Sequence, residues 1–321
     1  MTLRETVLAL REASGVINKR DIQISAEKIP WVTEGPWGKE AVSLGDDCAA
    51  IPDGDGFLLL AAEGMLPDLV EKEPFAAGYF SVLVNASDIY SMGGRPLAVV
   101  DALFSRDAAS AAPLLEGMNA AARDLRIPIV GGHTNAKSPY AALMVAILGR
   151  ARTLLTSFDA RAGDDLIVVF DLRGRPNAER LFFDATRGAP PERLRADYEL
   201  LPAIAERGLS RAAKDISMGG LFGSLLMLLE GSGVGARLDV DAVPRPPEVD
   251  LVRWLLSFPS FGFVMAANPS ASRAILDTFA SRKLSAAVVG SFDASRTLTL
   301  TSRGQSEVAW DLTRQGLTLP R

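Results

Sequence analysis

The sequence contains one cysteine, Cys48, and one histidine, His133. A lone thiol excludes an internal disulfide and a Cys-rich zinc site, and a lone imidazole leaves little scope for a His-based metal centre. Positive charge is not in excess: 34 Lys and Arg stand against 39 Asp and Glu, for a net charge of −5. That argues against a nucleic-acid or anionic-membrane surface, which needs clustered cations. The long apolar stretches are all interrupted by Gly, Asp, Ser or Arg, so none reads as a membrane span. Thr2-Leu3-Arg4-Glu5 opens a helix and lacks the apolar core of a signal peptide, giving the expectation of a cytoplasmic protein. A cytoplasmic enzyme that uses oxygen ligands is the class that remains.

Apolar residues make up 48% of the 321-residue chain and charged residues 23%, enough material for two cores. A first helix begins with a Thr2/Glu5 capping box, carries Leu3, Val7 and Leu10 on one face, and is expected to stop at Gly15. Thr33 to Lys39 is punctuated by Gly and Pro and reads as a loop. Strands are expected at 57–62, 97–104, 127–130 and 141–148, and helices at 75–92 and 108–125. Gly93-Gly94 ends the first of these helices. The pattern then restarts. Helices are expected at 177–186, 198–206, 221–230 and 270–282, and strands at 166–170, 237–240, 263–267, 286–290 and 297–301. The fold class is therefore α/β, with two domains, 1–155 and 156–321.

Four segments carry polar residues where chemistry is conceivable. In Gly45-Asp46-Asp47-Cys48-Ala49, two adjacent carboxylates suit a hard cation such as Mg²⁺, or simply a solvated turn. Asn85 and Asp88 share a face of an otherwise apolar helix and need partners, from a hydrogen-bond network or from a metal–phosphate group. Gly131-Gly132-His133-Thr134 follows a strand, where paired glycines let backbone N–H groups approach phosphate. An isolated Gly-Gly turn with a loop histidine is the plainer alternative. Lys214-Asp215-Ile216-Ser217-Met218-Gly219-Gly220-Leu221 precedes an apolar helix that Ser217 is placed to cap, and that helix start is suited to an anion. Cys48 follows two carboxylates that suppress its thiolate, so no nucleophile is nominated.

Taken in order, these motifs resemble the aminoimidazole-ribonucleotide-synthetase-like superfamily, which includes thiamine-monophosphate kinase, selenophosphate synthetase and a hydrogenase-maturation dehydratase. The series is G-D-D-x-A at Gly45–Ala49, N-x-S-D-x-x-x-M-G-G-x-P at Asn85–Pro96, G-G-x-T at Gly131–Thr134 and D-x-S-x-G-G-L at Asp215–Leu221. The resemblance implies two α/β domains, the N-terminal one forming a β-barrel shared in a homodimer. It also implies ATP bound with Mg²⁺. Carried over by position, Asp46, Asp47 and Asp88 are metal or metal-water ligands, with Glu63 able to join them. Lys39, Asn85, Gly131, Gly132, His133, Thr134 and Asp215 then line the nucleotide.

The departures are specific. The family's Asp after the 57–62 strand is replaced in Ala61-Ala62-Glu63-Gly64, and the kinase's following His-Phe is absent. The kinase has Asp where this chain has His133. Selenophosphate synthetase needs a reactive Cys or selenocysteine near its start, and the dehydratase ends in a cysteine. This chain reads Thr318-Leu319-Pro320-Arg321. The expected function is an Mg-ATP-dependent phosphotransferase or synthetase that activates an oxygen of a small metabolite. A thiamine-monophosphate-kinase-like activity and a non-catalytic nucleotide-binding partner subunit are the alternatives.

Overall fold

The structure, a computed structural model, describes residues 1–29, 35, 36, 38 and 43–318. Of the expected loop at 33–39, only Gly35, Pro36 and Gly38 fall within them. The chain divides into two compact units, one of 1–47, 154–187 and 203–321, the other of 48–153 and 188–202. The first 47 residues thus pack with the C-terminal half, and a later segment packs with the N-terminal half, so neither unit is one continuous stretch.

The chain starts in the larger unit with α1 (Leu3–Glu12), α2 (Ser14–Ile17) and α3 (Ile22–Lys28). The capping box forms as expected: Glu5 N–H donates to Thr2 Oγ1 and Thr2 N–H to Glu5 Oε2. Gly15 does not end α1. The break comes at Ala13, whose backbone turns extended, and Gly15 sits inside α2, where an added Cβ would lie 3.1 Å from the Gly219 nitrogen.

The smaller unit contains β1 (Ala49–Asp53), β2 (Gly56–Gly64), α4 (Pro67–Lys72), α5 (Pro74–Ser91), β3 (Arg95–Phe104), α6 (Ala108–Leu125), β4 (Ile129–Asn135) and β5 (Ala142–Ala151). Its sheet is open, in the order β1-β2-β5-β3-β4. Burial alternates along β5, so one face packs beneath α5 and the other is outside. The short strand expected at 127–130 is in fact β4, shifted to 129–135 and exposed along its whole length. Among the described residues it is an edge strand paired with β3 alone, so its residues lack the cover a central strand receives.

The chain returns to the larger unit with β6 (Asp165–Phe170), β7 (Arg175–Pro176) and β8 (Phe182–Asp184). The helix expected at 177–186 is absent. Asn177 Oδ1 accepts from the Glu179 and Arg180 amides, an Asx turn that reverses the chain, and Phe182 then stacks on Phe258 in a small three-stranded sheet. α7 (Pro191–Tyr198) belongs to the smaller unit, where the Tyr198 ring stacks on Tyr90 and its hydroxyl shares a hydrogen bond with Ser87. α8 (Leu200–Glu206) leads back. The larger unit is completed by β9 (Ala212–Asp215), α9 (Gly220–Ser232), β10 (Gly235–Asp239), α10 (Leu251–Leu256), β11 (Phe258–Pro259), β12 (Gly262–Ala267), α11 (Pro269–Ala280), β13 (Ser285–Asp293), β14 (Thr297–Ser302) and β15 (Gln305–Asp311). Its seven-stranded sheet runs β15-β14-β10-β13-β6-β12-β9. Leu10, Phe222, Leu225, Leu238, Trp254, Val264, Phe292 and Leu300 belong to its core.

Candidate functional site

In the larger unit, the Asp46-Asp47 dipeptide is fastened at both residues. Asp46 Oδ2 accepts from the Ser157 amide at 2.9 Å, and Oδ1 from the Ser157 hydroxyl at 2.7 Å and the Asp47 amide at 3.0 Å. Asp47 Oδ1 is ion-paired with Lys214 Nζ, and Oδ2 accepts from the Asp215 amide at 3.2 Å. The reason lies in the sheet. Among the described residues β9 is an edge strand, with no strand partner on one side of its backbone, and Asp47 accepts from an amide on that side. Lys214 and Asp47 side chains are each only 3% exposed, so this is a buried pair.

Charge is crowded here. Carboxylate oxygens of Asp47 and Asp215 lie within 4.8 Å of one another. At an effective dielectric of about 20, two such charges repel by roughly 3 kcal/mol. Burial, then the neighbouring Asp47 charge, pushes the Asp46 carboxyl up to about 6. Burial pulls the Lys214 ammonium pKa down, but Asp47, Asp215 and Asp46 together raise it above its ordinary value. The ammonium is therefore charged, and the cluster carries its own cation.

Ser217 does not cap α9. That helix begins at Gly220 with Gly219 as its N-cap, and both glycines have positive φ, at +64° and +100°. Ser217 Oγ instead accepts from Lys19 Nζ at 3.1 Å, and its amide donates to Ser224 Oγ.

In the smaller unit, Asn85 and Asp88 lie on α5 at 0% and 6% exposure, among Val82, Leu83, Ala86 and Ile89. Asn85 Nδ2 donates to the Ser81 carbonyl at 2.8 Å, one turn back. Its Oδ1 is buried and has no hydrogen-bond partner among the described residues. Leaving such an atom unsatisfied costs about 1–3 kcal/mol. Glu63 is exposed near the end of β2.

Gly131, Gly132, His133 and Thr134 do not form a turn. They lie within β4, in register with Val100, Asp101, Ala102 and Leu103 of β3. All four are exposed, and the His133 ring stands 6.0 Å from Phe104. Gly132 is required by close approach: a Cβ there would collide with the Asp101 carboxylate. Asp101 is a further candidate, outside the four polar segments. It pairs with Val145, as does Glu63, so the two acids share one row of the sheet. Burial raises its pKa, and Oδ2 has no hydrogen-bond partner among the described residues. The available signal was a lone carboxylate in the apolar run Leu97 to Phe104. Lys214 stands in the fourth polar segment, but its pairing is not legible in the sequence because its partner is 167 residues away. Lys39 lies outside the described residues.

A fit to a hard cation can be tested from the donors. Asp88 and the Asn85 oxygen offer oxygen donors in a buried setting, which suits Mg²⁺. Asp46 fits poorly, since both its oxygens already accept hydrogen bonds, and Asp47 already has an ammonium.

Comparison with known proteins agrees with the motif order. The AIR synthase related protein N-terminal domain matches residues 45–151, and the C-terminal domain matches 163–303. An uncharacterized protein of Synechocystis sp. is 46% identical over 317 residues, covering 98% of each chain. One of Methanocaldococcus jannaschii is 34% identical over 319 residues, again covering 98% of each. The selenide, water dikinase of Aeromonas hydrophila is 27% identical over 257 residues, 72% of each. Among solved structures, T. maritima PurL complexed with ADP superposes with a TM-score of 0.75 at 17% identity, over 99% of this chain and 52% of that one. AaThiL complexed with AMPPCP and TMP gives 0.63 at 20% identity, over 82% and 88%. With both domains matched in order and relatives aligned almost end to end, this chain belongs to the AIR synthase related family.

Proposed function

We propose that the protein is an Mg-ATP-dependent phosphotransferase or synthetase that activates an oxygen of a small metabolite. The observation that carries this is the Asn85 oxygen, buried beside Asp88 on an apolar helix and left without a hydrogen-bond partner among the described residues. A purely structural network would satisfy that atom, whereas a bound nucleotide or its hydrated cation supplies the missing partner. A relative named as a dikinase, and fold neighbours solved with ADP and AMPPCP, support the choice of nucleotide.

In this reading Asn85 and Asp88 of the smaller unit are groups that meet the Mg-nucleotide. Mg²⁺ supplies neutralisation of the triphosphate charge. The chain's own groups supply positioning, which phosphoryl transfer needs more than covalent chemistry. Titration calorimetry with Mg-ATP tests it: heat that EDTA abolishes is expected, and no binding, or binding indifferent to chelation, rejects it. ATP turnover across a metabolite panel then separates an enzyme from a nucleotide-binding partner subunit, a reading that the Glu63 departure favours.

A homodimer is part of the proposal. Leu60, Val100, Met144 and Leu148 share the outer face of the open sheet, each at least 37% exposed. An apolar sheet face of this kind needs cover, and a second copy of the chain provides it. Light scattering at micromolar concentration is expected to give twice the monomer mass, and a monomer there removes this part.

A further inference from the structure

We infer that Lys214 is a tethered cation which replaces a divalent ion on the Asp46-Asp47 pair, so that this motif is held closed by the chain itself. The inference deepens the proposed nucleotide site and rests on that reading for its use, though not for its test. Three observations carry it. First, Lys214 Nζ is paired with Asp47 Oδ1, and both side chains are almost fully buried. Second, the other Asp47 oxygen and both Asp46 oxygens accept hydrogen bonds from Asp215, Ser157 and Asp47 amides and the Ser157 hydroxyl. The dipeptide is therefore stapled to β9 on one side and to Ser157 on the other, with no need of a metal bridge. Third, a divalent ion on Asp47 would sit beside a buried ammonium, where like charges repel in a weakly screened setting.

A buried ammonium is costly unless paired, and a buried carboxylate equally so. Each answers the other here, and the geometry does a metal's work with one positive charge instead of two. Lys214 is thus a positioning residue. It holds Asp47 against the β9 edge, where the other Asp47 oxygen accepts from the Asp215 amide.

The test is Mn²⁺ binding followed by electron paramagnetic resonance, together with melting temperature in the presence and absence of MgCl₂, on wild type, Lys214→Met and Lys214→Arg. Lys214→Met is expected to bind one more Mn²⁺ per chain than wild type. Its melting temperature should rise by about 5 °C or more at cation concentrations far above the dissociation constant. Wild type and Lys214→Arg should share one stoichiometry. A Lys214→Met protein with wild-type Mn²⁺ stoichiometry and no added cation stabilisation overturns the inference, because a merely structural lysine gives that result. If Lys214→Met does not fold in metal-free buffer, it is refolded with millimolar MgCl₂. Recovery only with the cation supports the inference, and failure in both buffers overturns it. Nucleotide is absent throughout, so a wild-type protein that fails to bind Mg-ATP rejects the proposed function without touching this result.

Discussion

The Asp46-Asp47 pair of the larger unit and the Asn85/Asp88 pair of the smaller one are similar in sequence: short polar residues amid apolar neighbours. The fold treats them in opposite ways. The first pair is met by an ammonium, a hydroxyl and three backbone amides. The second includes a buried oxygen with no hydrogen-bond partner among the described residues. A polar group whose partners are all supplied within the fold stabilises the fold. One left short marks where something else is expected to bind.

The contrast between the two pairs is largest at Asp47. Asp47→Ala leaves the Lys214 ammonium buried without its main partner, and the loss is expected at about 3–5 kcal/mol. Urea unfolding checks this, and a change under 1 kcal/mol (about one-fifth to one-third of that) would show the pair to be peripheral.

Asp46 makes the first pair sensitive to pH. Its folded pKa, pushed up to about 6, exceeds the unfolded value of 3.8. Between about pH 4 and pH 6 the folded protein holds a proton that the unfolded chain has released, so this group's contribution falls as pH rises through that window. The span is on the order of 2 kcal/mol. Asp46→Asn should flatten it, measured as unfolding free energy near pH 4 and near pH 7 for both proteins.

Asp88→Asn tests the other member of the comparison. Apo stability should barely change, while Mg-ATP affinity falls about 10-fold, or about 1.4 kcal/mol. Earlier melting with unchanged affinity would assign Asp88 to the fold instead.

The smallest effect on folding is expected on the outer sheet face. Met144→Lys should alter stability by less than about 0.5 kcal/mol, since the site is exposed. The same variant should lose the dimer in sedimentation velocity. A dimer that persists would place the contact elsewhere.

The sequence shows this contrast only in part. The helix expected at 108–125 is found there, because its apolar face and its Asp107 cap are local signals. The 177–186 segment misled because Asn177 satisfies the next amides from its side chain, which periodicity does not register. Gly131-Gly132 reads as a turn, yet the pair lies in an extended strand, where Gly132 makes room for Asp101. Asp46 and Asp47 were identifiable as special, but not their partners. Ser157 and Lys214 lie 111 and 167 residues away, and a spacing of that kind has no period to read.

The interleaving of the two units also sets an order of events during synthesis. Residues 48–153 must wait for 188–202, which bring Tyr198 against Tyr90, before their unit is whole. At ribosomal rates of about 5–20 residues per second, that delay is roughly a few seconds. The opening helix waits far longer, because α1 packs against β15, nearly the last element made. Its apolar face, with Leu3, Val7 and Leu10, therefore emerges on the order of 15–60 s before its own core exists. The apolar face of α1 gains its cover only once β15 has been made.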